Sequence, residues 1–154
     1  MIQVIGYGNP GRGDDGLGPA FAARIADLPG VTTSDDYQLT VDHALQITSA
    51  DRVVFVDALL RSDAPFEFSE VTASADHNVT SHSLSPQAVL ALCTMLYGKT
   101  PRAFVLGITG QEFGEVREGL SQTAQCNLSS AETFLRDWLG QNIPIKTVGG
   151  LTHA

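Results

Sequence analysis

Residues 2–18 read IQVIGYGNPGRGDDGLG, and this stretch decides the fold. Residues 2–6 form a short β-rich run, which the following glycines stop. Pro19 is tolerated only in the first turn of a helix, so a helix is predicted to start near residues 15–17. Its apolar face would carry Leu17, Phe21, Ile25 and Leu28. A strand that passes through a glycine loop into a helix is the first half of a βαβ unit.

The rest of the chain alternates strands and helices in the same way. Strands are predicted at residues 37–41, 53–57, 66–71 and 103–108, and helices at residues 42–50, 86–97 and 121–139. We expect Asp42 and Ser85 to cap the first two of these helices, and Gly98 and Gly140 to end the last two. The alternation implies a parallel or mixed sheet covered on both faces. Residues 141–154 show no strong pattern and are predicted to form a loose C-terminal tail.

Composition excludes several classes of protein. The 154 residues fit one domain, and 9 Lys and Arg against 17 Asp and Glu give a net charge of −8. That balance argues against nucleic acid or an anionic membrane as a partner, because phosphate neutralisation needs clustered basic residues. Cys93 and Cys126 lie too far apart in sequence to suggest a disulfide framework or a thiolate zinc site. With no secretory signal pattern and no membrane-length apolar run, a cytoplasmic location is expected.

The glycine loop matches G-x-G-x-x-G at residues 6–11, which raises the alternative of a nucleotide site. In a dinucleotide site the third glycine opens the helix, whose N-terminus faces a pyrophosphate. Here residues 12–16 intervene and place Asp14 and Asp15 where the phosphates would sit. Like charges about 4 Å apart cost on the order of 4 kcal/mol at an effective dielectric of about 20, so a nucleotide is disfavoured.

The two adjacent aspartates favour a bound cation. One of them is enough to stabilise the positive end of a helix, by roughly 0.3–1 kcal/mol. A second aspartate in a loop this rich in glycine needs another reason, and a cation would remove the repulsion between the two carboxylates.

Three residues are predicted to converge as metal ligands. Asp15 follows the first strand, Asp57 ends a predicted buried strand, and His82 precedes the helix that starts at Pro86. Open α/β sheets form their sites beyond the carboxyl ends of the strands. Two carboxylates and an imidazole suit a divalent cation such as Zn, Ni or Mn, which could polarise a carbonyl or activate water. The alternatives are that Asp57 caps a turn and that His82 bonds a neighbouring backbone group.

The N-terminal motif resembles that of a known family. Gly6-Tyr7-Gly8-Asn9, followed after four residues by Asp14-Asp15-Gly16-Leu17-Gly18, is similar to the signature of the [NiFe]-hydrogenase maturation proteases. Val56-Asp57-Ala58 and the region from His82 to Pro86 are similar to the second and third motifs of that family. The resemblance extends over residues 1–140, taken as a single protease-like domain, and implies a three-layer α/β/α sandwich with a mostly parallel, mixed, twisted sheet.

The resemblance also implies an activity. Members remove a short C-terminal extension from the hydrogenase large subunit precursor after nickel insertion. Asp15, Asp57 and His82 match the metal-binding positions, and Asp15 or Asp57 would help to activate water. The nickel is expected to arrive with the substrate, and zinc or another divalent cation could occupy the site in vitro. Asn9 and Asp14 match adjacent motif positions, expected to support the loop and to lie at the substrate.

One segment departs from the family pattern. Many members have an Asp-Gly-Gly turn after the second strand, where this chain has Val41-Asp42-His43-Ala44. Asp42 keeps an acid near the expected substrate. Water activation by a carboxylate, as in aspartic peptidases, and by a metal both remain open. The rival functions are a non-catalytic nickel-binding or chaperone module with the same ligands, and a small-molecule hydrolase or nucleotide-binding enzyme.

Overall fold

Five strands form one mixed sheet in the computed structural model, which describes residues 1–74, 83–114 and 116–142. The strands are β1 (Ile2–Tyr7), β2 (Val31–Asp36), β3 (Arg52–Leu59), β4 (Phe66–Val71) and β5 (Arg102–Thr109). Their order across the sheet is β2-β1-β3-β5-β4. All neighbours are parallel except β4, which runs antiparallel to β5 at one edge. The carboxyl ends of β1, β3 and β5 therefore meet at the same edge of the sheet.

Helices cover both faces of this sheet. They are α1 (Leu17–Arg24), α2 (Val41–Gln46), α3 (Pro86–Tyr97) and α4 (Gln122–Asn142), with short 3-10 helices at Gly13–Gly16 and Ile47–Ser49. One buried core joins α1 and α4 to the sheet through Phe21, Val54 and Leu135. A second core joins α2 and α3 to the opposite face through residues such as Phe55 and Val89. The predicted three-layer α/β/α sandwich is confirmed.

Both ends of α3 follow the sequence prediction. The Ser85 hydroxyl accepts a hydrogen bond from the Ala88 N–H at 3.1 Å, and Pro86 occupies the first turn. Gly98 ends the helix with a φ of 67°, in the left-handed region that favours glycine. None of the helices in the part of the chain that the structure describes is long and apolar enough to cross a membrane.

The strand predicted at residues 37–41 is wrong. The second strand is Val31–Asp36, which lies at the sheet edge beside β1 and is mostly polar, so it shows no apolar alternation. Leu39 is buried, but it enters the core from the connection between β2 and α2. The alternating pattern therefore reflects one buried loop residue rather than a strand.

Three predicted helix ends also need correction. Thr40, not Asp42, caps α2, because Thr40 and His43 form a reciprocal capping box in which the Thr40 N–H donates to His43 Nδ1 at 2.9 Å. This helix ends at Gln46 and continues only as a 3-10 turn. At the other end of the chain, Gly140 lies inside α4, which runs on to Asn142. A helix-interior glycine is tolerated at a modest energetic cost, which explains the misplaced end.

We expect Gly18→Ala to destabilise the protein strongly. A Cβ at Gly18 would lie 2.5 Å from the carbonyl oxygens of Tyr7 and Val56, and a backbone contact of this kind cannot move aside. The free energy of unfolding, measured by urea denaturation, should fall by about 3 kcal/mol, the upper end for overpacking. Gly140→Ala is the matched control, since nothing lies within 4 Å of its Cβ position, and it should stabilise slightly. Equal stability of Gly18→Ala and the parent protein would contradict the close packing of α1 on the sheet.

Candidate functional site

An open pocket of about 430 Å³ lies at the carboxyl ends of β1 and β3. Its lining combines the predicted carboxylates with the first turn of α3, and includes Tyr7, Gly8, Asp15, Asp57, Ser83 and Ser85. A smaller pocket shares Gly8 and Tyr37 with it and brings Asp35 and Asp36 to the same edge. This edge is therefore concave and acidic, which suits a cation or a cationic substrate group.

Asp57 faces this pocket from within β3. The strand does not end there, as the sequence had suggested, but continues to Leu59 along β5. The pairing with β1 stops one residue earlier, at Val56 opposite Gly6. Asp57 therefore pairs with β5 but no longer with β1. Its Oδ1 accepts a hydrogen bond from the Ala58 N–H at 2.8 Å. The Tyr7 hydroxyl lies beside the carboxylate and lowers its pKa as a donor would.

The surroundings of Asp57 make it a weaker acid than an ordinary aspartate. Its pKa is raised to about 6, chiefly by burial and to a smaller extent by the nearby Asp15, and this is the balance left after hydrogen bonding to Ala58 and Tyr7 has lowered it. Burial also raises the pKa of Tyr7 far above its ordinary value, helped by the charge of Asp57. The Tyr7 phenol therefore stays protonated and serves as a hydrogen-bond donor.

Asp15 reaches the pocket from the 3-10 helix that follows the glycine loop. Its Oδ2 accepts a hydrogen bond from the Asn9 N–H at 2.7 Å. The Asn9 side chain folds the loop in turn, because its Oδ1 accepts from the Gly11 N–H at 2.9 Å. Gly8 has a φ of 139°, and a Cβ there would lie 2.0 Å from the Asp15 carbonyl oxygen. The loop can hold Asp15 at the pocket only because position 8 has no side chain.

Asp14 points away from the pocket and is fully buried. Its carboxylate accepts four hydrogen bonds of 2.6–2.8 Å, from the N–H groups of Gln111, Glu112 and Ser121 and from the Ser121 hydroxyl. Burial alone would raise the pKa of Asp14, but these hydrogen bonds outweigh it and hold the pKa below its usual value. These contacts fit the loop support expected for Asp14, whereas the substrate contact expected for it gains no support, since its oxygens are bonded and buried.

The remaining predicted site residues lie elsewhere. Asp42 is exposed on α2 and is not part of the pocket lining, so the substrate contact predicted for it gains no support. Asn9 contributes to the loop through its backbone and amide oxygen. His82 lies outside the described residues, although Ser83, to which it is bonded, lines the pocket. Within residues 1–74, 83–114 and 116–142, no three His, Cys, Asp or Glu side chains form a potential metal-binding group.

Two residues at the site were missed by sequence reasoning. Tyr7 binds Asp57, and Ser121 binds Asp14 through both its N–H and its hydroxyl. Tyr7 could have been found inside the glycine motif, since the last residue of one strand lies beside its counterpart on a parallel neighbour. Ser121 gave no signal beyond its place before the last helix, because its partner is 107 residues away.

The arrangement supports two kinds of chemistry. Two carboxylates that face one pocket, with one pKa raised toward neutrality, can divide the roles of base and charge-bearing ligand. The same oxygens are suitable ligands for a divalent cation, which would relieve their mutual repulsion. A pocket with these groups can therefore bind a metal-bearing substrate and place a carboxylate beside it as a proton acceptor.

Comparisons with known sequences give no match. None of the protein-family models matches the chain, and a search of the curated proteins also finds none that matches.

Solved structures do share the fold. The hydrogenase maturating endopeptidase HybD from E. coli superposes with a TM-score of 0.72 and 18% identity, over 92% of this chain and 93% of that one. The [NiFe] hydrogenase maturation protease HycI from Thermococcus kodakarensis gives 0.68 and 22%, over 91% and 92%. A hydrogenase 2 maturation peptidase from a Thaumarchaeota archaeon gives 0.67 and 18%, over 91% and 98%. The chain has the fold of the hydrogenase maturation proteases.

Proposed function

We propose that this chain is an endopeptidase that removes the C-terminal extension of a [NiFe]-hydrogenase large subunit precursor after nickel insertion. The observation that carries the proposal is the convergence of Asp15 and Asp57 on one open pocket at the carboxyl edge of the sheet. The motif resemblance and the shared fold of the maturation proteases support it.

Nickel enters this proposal as part of the substrate. Asp15 and Asp57 would bind it through carboxylate oxygens, with the His82 imidazole as the third ligand. Imidazole and carboxylate together suit Ni²⁺ or Zn²⁺, so zinc or another divalent cation could take the same place in vitro. A precursor without nickel would then lack the group that seats it, which makes cleavage follow metal insertion.

Asp57 is the better candidate for the base that activates water. Its pKa of about 6 keeps it mostly ionised at neutral pH, yet basic enough to accept a proton. Asp15 would then carry charge and orient the metal-bearing substrate. This assignment favours the carboxylate route over activation of water by the metal alone.

The proposed partner is a single protein in the cytoplasm, the large subunit precursor. The net charge of −8 and the scattered basic residues give no support to a nucleic-acid partner. The acidic edge formed by Asp15, Asp35, Asp36 and Asp57 would attract a substrate segment of positive charge.

Asp15→Asn tests this proposal. The variant keeps the volume and the hydrogen bond from Asn9 but loses the charge, so cleavage of the nickel-loaded precursor should fall at least ~100-fold. Mass spectrometry of the precursor C-terminus gives the rate. Asp137→Asn, the same change on the exposed side of α4, is the control and should cleave normally. Normal trimming by Asp15→Asn would refute the site assignment.

The rival function is a nickel-binding or chaperone module that uses the same ligands without cutting. The same experiment separates the two functions. A rival of this kind would retain the precursor in a complex while the mass of its C-terminus stays unchanged. A small-molecule or nucleotide enzyme would instead show a thermal shift with NAD or ATP, which we do not expect.

A further inference from the structure

Tyr7 is placed beside Asp57 by the register of two parallel strands. The last pair that joins β1 to β3 is Gly6 with Val56, so the next residues along the two strands are Tyr7 and Asp57. Two positions earlier, Ile5 and Phe55 both enter the core beneath α2 and α3. Because side chains alternate along a strand, Tyr7 and Asp57 lie on that same face of the sheet.

The Tyr7 side chain has an apolar part and a polar end with different surroundings. Its ring packs against the core under α2 and α3, while the residue as a whole lines the open pocket. Its hydroxyl lies beside the Asp57 carboxylate, since both residues line this pocket at neighbouring register positions and each affects the pKa of the other. A ring fixed by packing holds its hydroxyl in a defined place, unlike a flexible side chain at the surface.

Two donors thus act on the Asp57 carboxylate. The Ala58 N–H binds Oδ1 at 2.8 Å, and the Tyr7 hydroxyl supplies the second hydrogen bond. An ionised carboxylate has about four acceptor positions, so further positions remain for a group bound in the pocket that Asp57 lines. Together the two donors restrict rotation of the carboxylate about its Cβ–Cγ bond.

We propose that Tyr7 is a positioning residue, whose hydroxyl holds the Asp57 carboxylate in the orientation in which it accepts a proton from the attacking water. This role rests on the proposed peptidase function. Tyr7 touches neither the metal nor the scissile bond and acts through Asp57. Partners that orient a ligand in this way typically change activity 10–100-fold when removed.

Tyr7→Phe tests the role, because it removes the hydroxyl and keeps the ring that packs in the core. We expect kcat for trimming of the nickel-loaded precursor to fall about 10–100-fold, with KM within about twofold of the parent value. In the resting protein, the Ala58 amide proton should shift upfield in an NMR spectrum as the Asp57 carboxylate turns away. Tyr97→Phe, the same change at the end of α3 and outside the pocket, should leave both readouts unchanged.

The outcomes separate this role from the proposed function. A parent protein that trims the precursor, together with a Tyr7→Phe variant of normal kcat and unmoved Ala58 resonance, overturns the role and leaves the peptidase standing. A fall in Tm without any change of the kcat-to-KM pattern or of that resonance also overturns it. A parent protein that trims nothing overturns the peptidase function itself, and with it the role of Tyr7 in that reaction. The Ala58 shift then still measures separately whether Tyr7 orients the Asp57 carboxylate.

Discussion

Asp57→Asn is expected to abolish trimming of the precursor and, at the same time, to make the protein more stable at neutral pH. The loss of a base in the pocket should lower kcat by ~10²–10⁴-fold, the range for removal of a general base. Asparagine keeps the shape of the side chain and can still accept from the Ala58 N–H. The two effects have opposite signs because the pocket holds a charge that burial disfavours.

The pH dependence of this stability gain follows from the raised pKa. Asp57 has a pKa of about 6 when folded, against about 3.9 in an unfolded chain. Between these values the folded state binds more protons, so stability falls as pH rises from about 4 to about 6 and stays lower above. At 1.36 kcal/mol per unit, the parent protein loses up to about 3 kcal/mol that Asp57→Asn does not lose.

Urea denaturation at pH 4 to 7.5 measures this difference directly. The stability of Asp57→Asn minus that of the parent protein should grow through the window and level off near pH 7. Asp137→Asn on α4 serves as the control for replacing an exposed aspartate. A difference that does not change with pH, or a variant less stable than the parent at pH 7, would contradict a raised pKa at Asp57.

Asp14→Ala is expected to cause the largest loss of stability of any single change at this edge. The substitution removes the acceptor of four donors, of which the Ser121 N–H and hydroxyl are buried and the N–H groups of Gln111 and Glu112 are partly buried. Hydrogen bonds to charged groups contribute roughly 1.5–3 kcal/mol each, and removal of one partner of a buried charged network costs about 3–5 kcal/mol. We expect a loss of about 4 kcal/mol, or roughly 8–16 °C in Tm.

Calorimetry or thermal denaturation of Asp14→Ala and Ser121→Ala tests this estimate. Ser121→Ala removes one of the four hydrogen bonds, together with the bond that Ala124 donates to the same hydroxyl, and should cost about half as much. The lowered pKa of Asp14 predicts that the parent loses this stability as pH falls below about 4, whereas Asp14→Ala does not. A Tm of Asp14→Ala within about 2 °C of the parent would show that the loop is held by other contacts.

The parts of the fold predicted correctly are those with strong local signals. The buried run that ends at Asp57 and the Ser85-Pro86 start of α3 carry their structure in a few neighbouring residues. The strand at residues 31–36 was not predicted because β2 lies at an edge of the sheet, where polar side chains are compatible with pairing to β1. These residues are extended because they pair with β1, and no local sequence pattern indicates that pairing.

The candidate site shows the same division. Asp15 and Asp57 follow from the rule that parallel strands end at one edge, and both line the pocket. Asp14 and Asp15 are assigned different roles only through the family motif, since the two are adjacent and chemically identical and no local pattern separates them. The 3-10 helix turns neighbouring residues about 120° apart, which sends Asp14 into the core and Asp15 to the pocket. The roles of Tyr7 and Ser121 depend on long-range contacts and appeared only in the structure.

The most direct test of the central claim is the intact mass of a nickel-loaded large subunit precursor after incubation with this protein. We expect loss of a single C-terminal segment with the parent protein, and an unchanged mass with Asp15→Asn or Asp57→Asn. The mass should also stay unchanged when the precursor lacks nickel. A precursor that keeps its full mass with the parent protein, or that the two variants trim as fast as the parent does, would contradict the claim that these carboxylates bind the metal-bearing substrate and promote its cleavage.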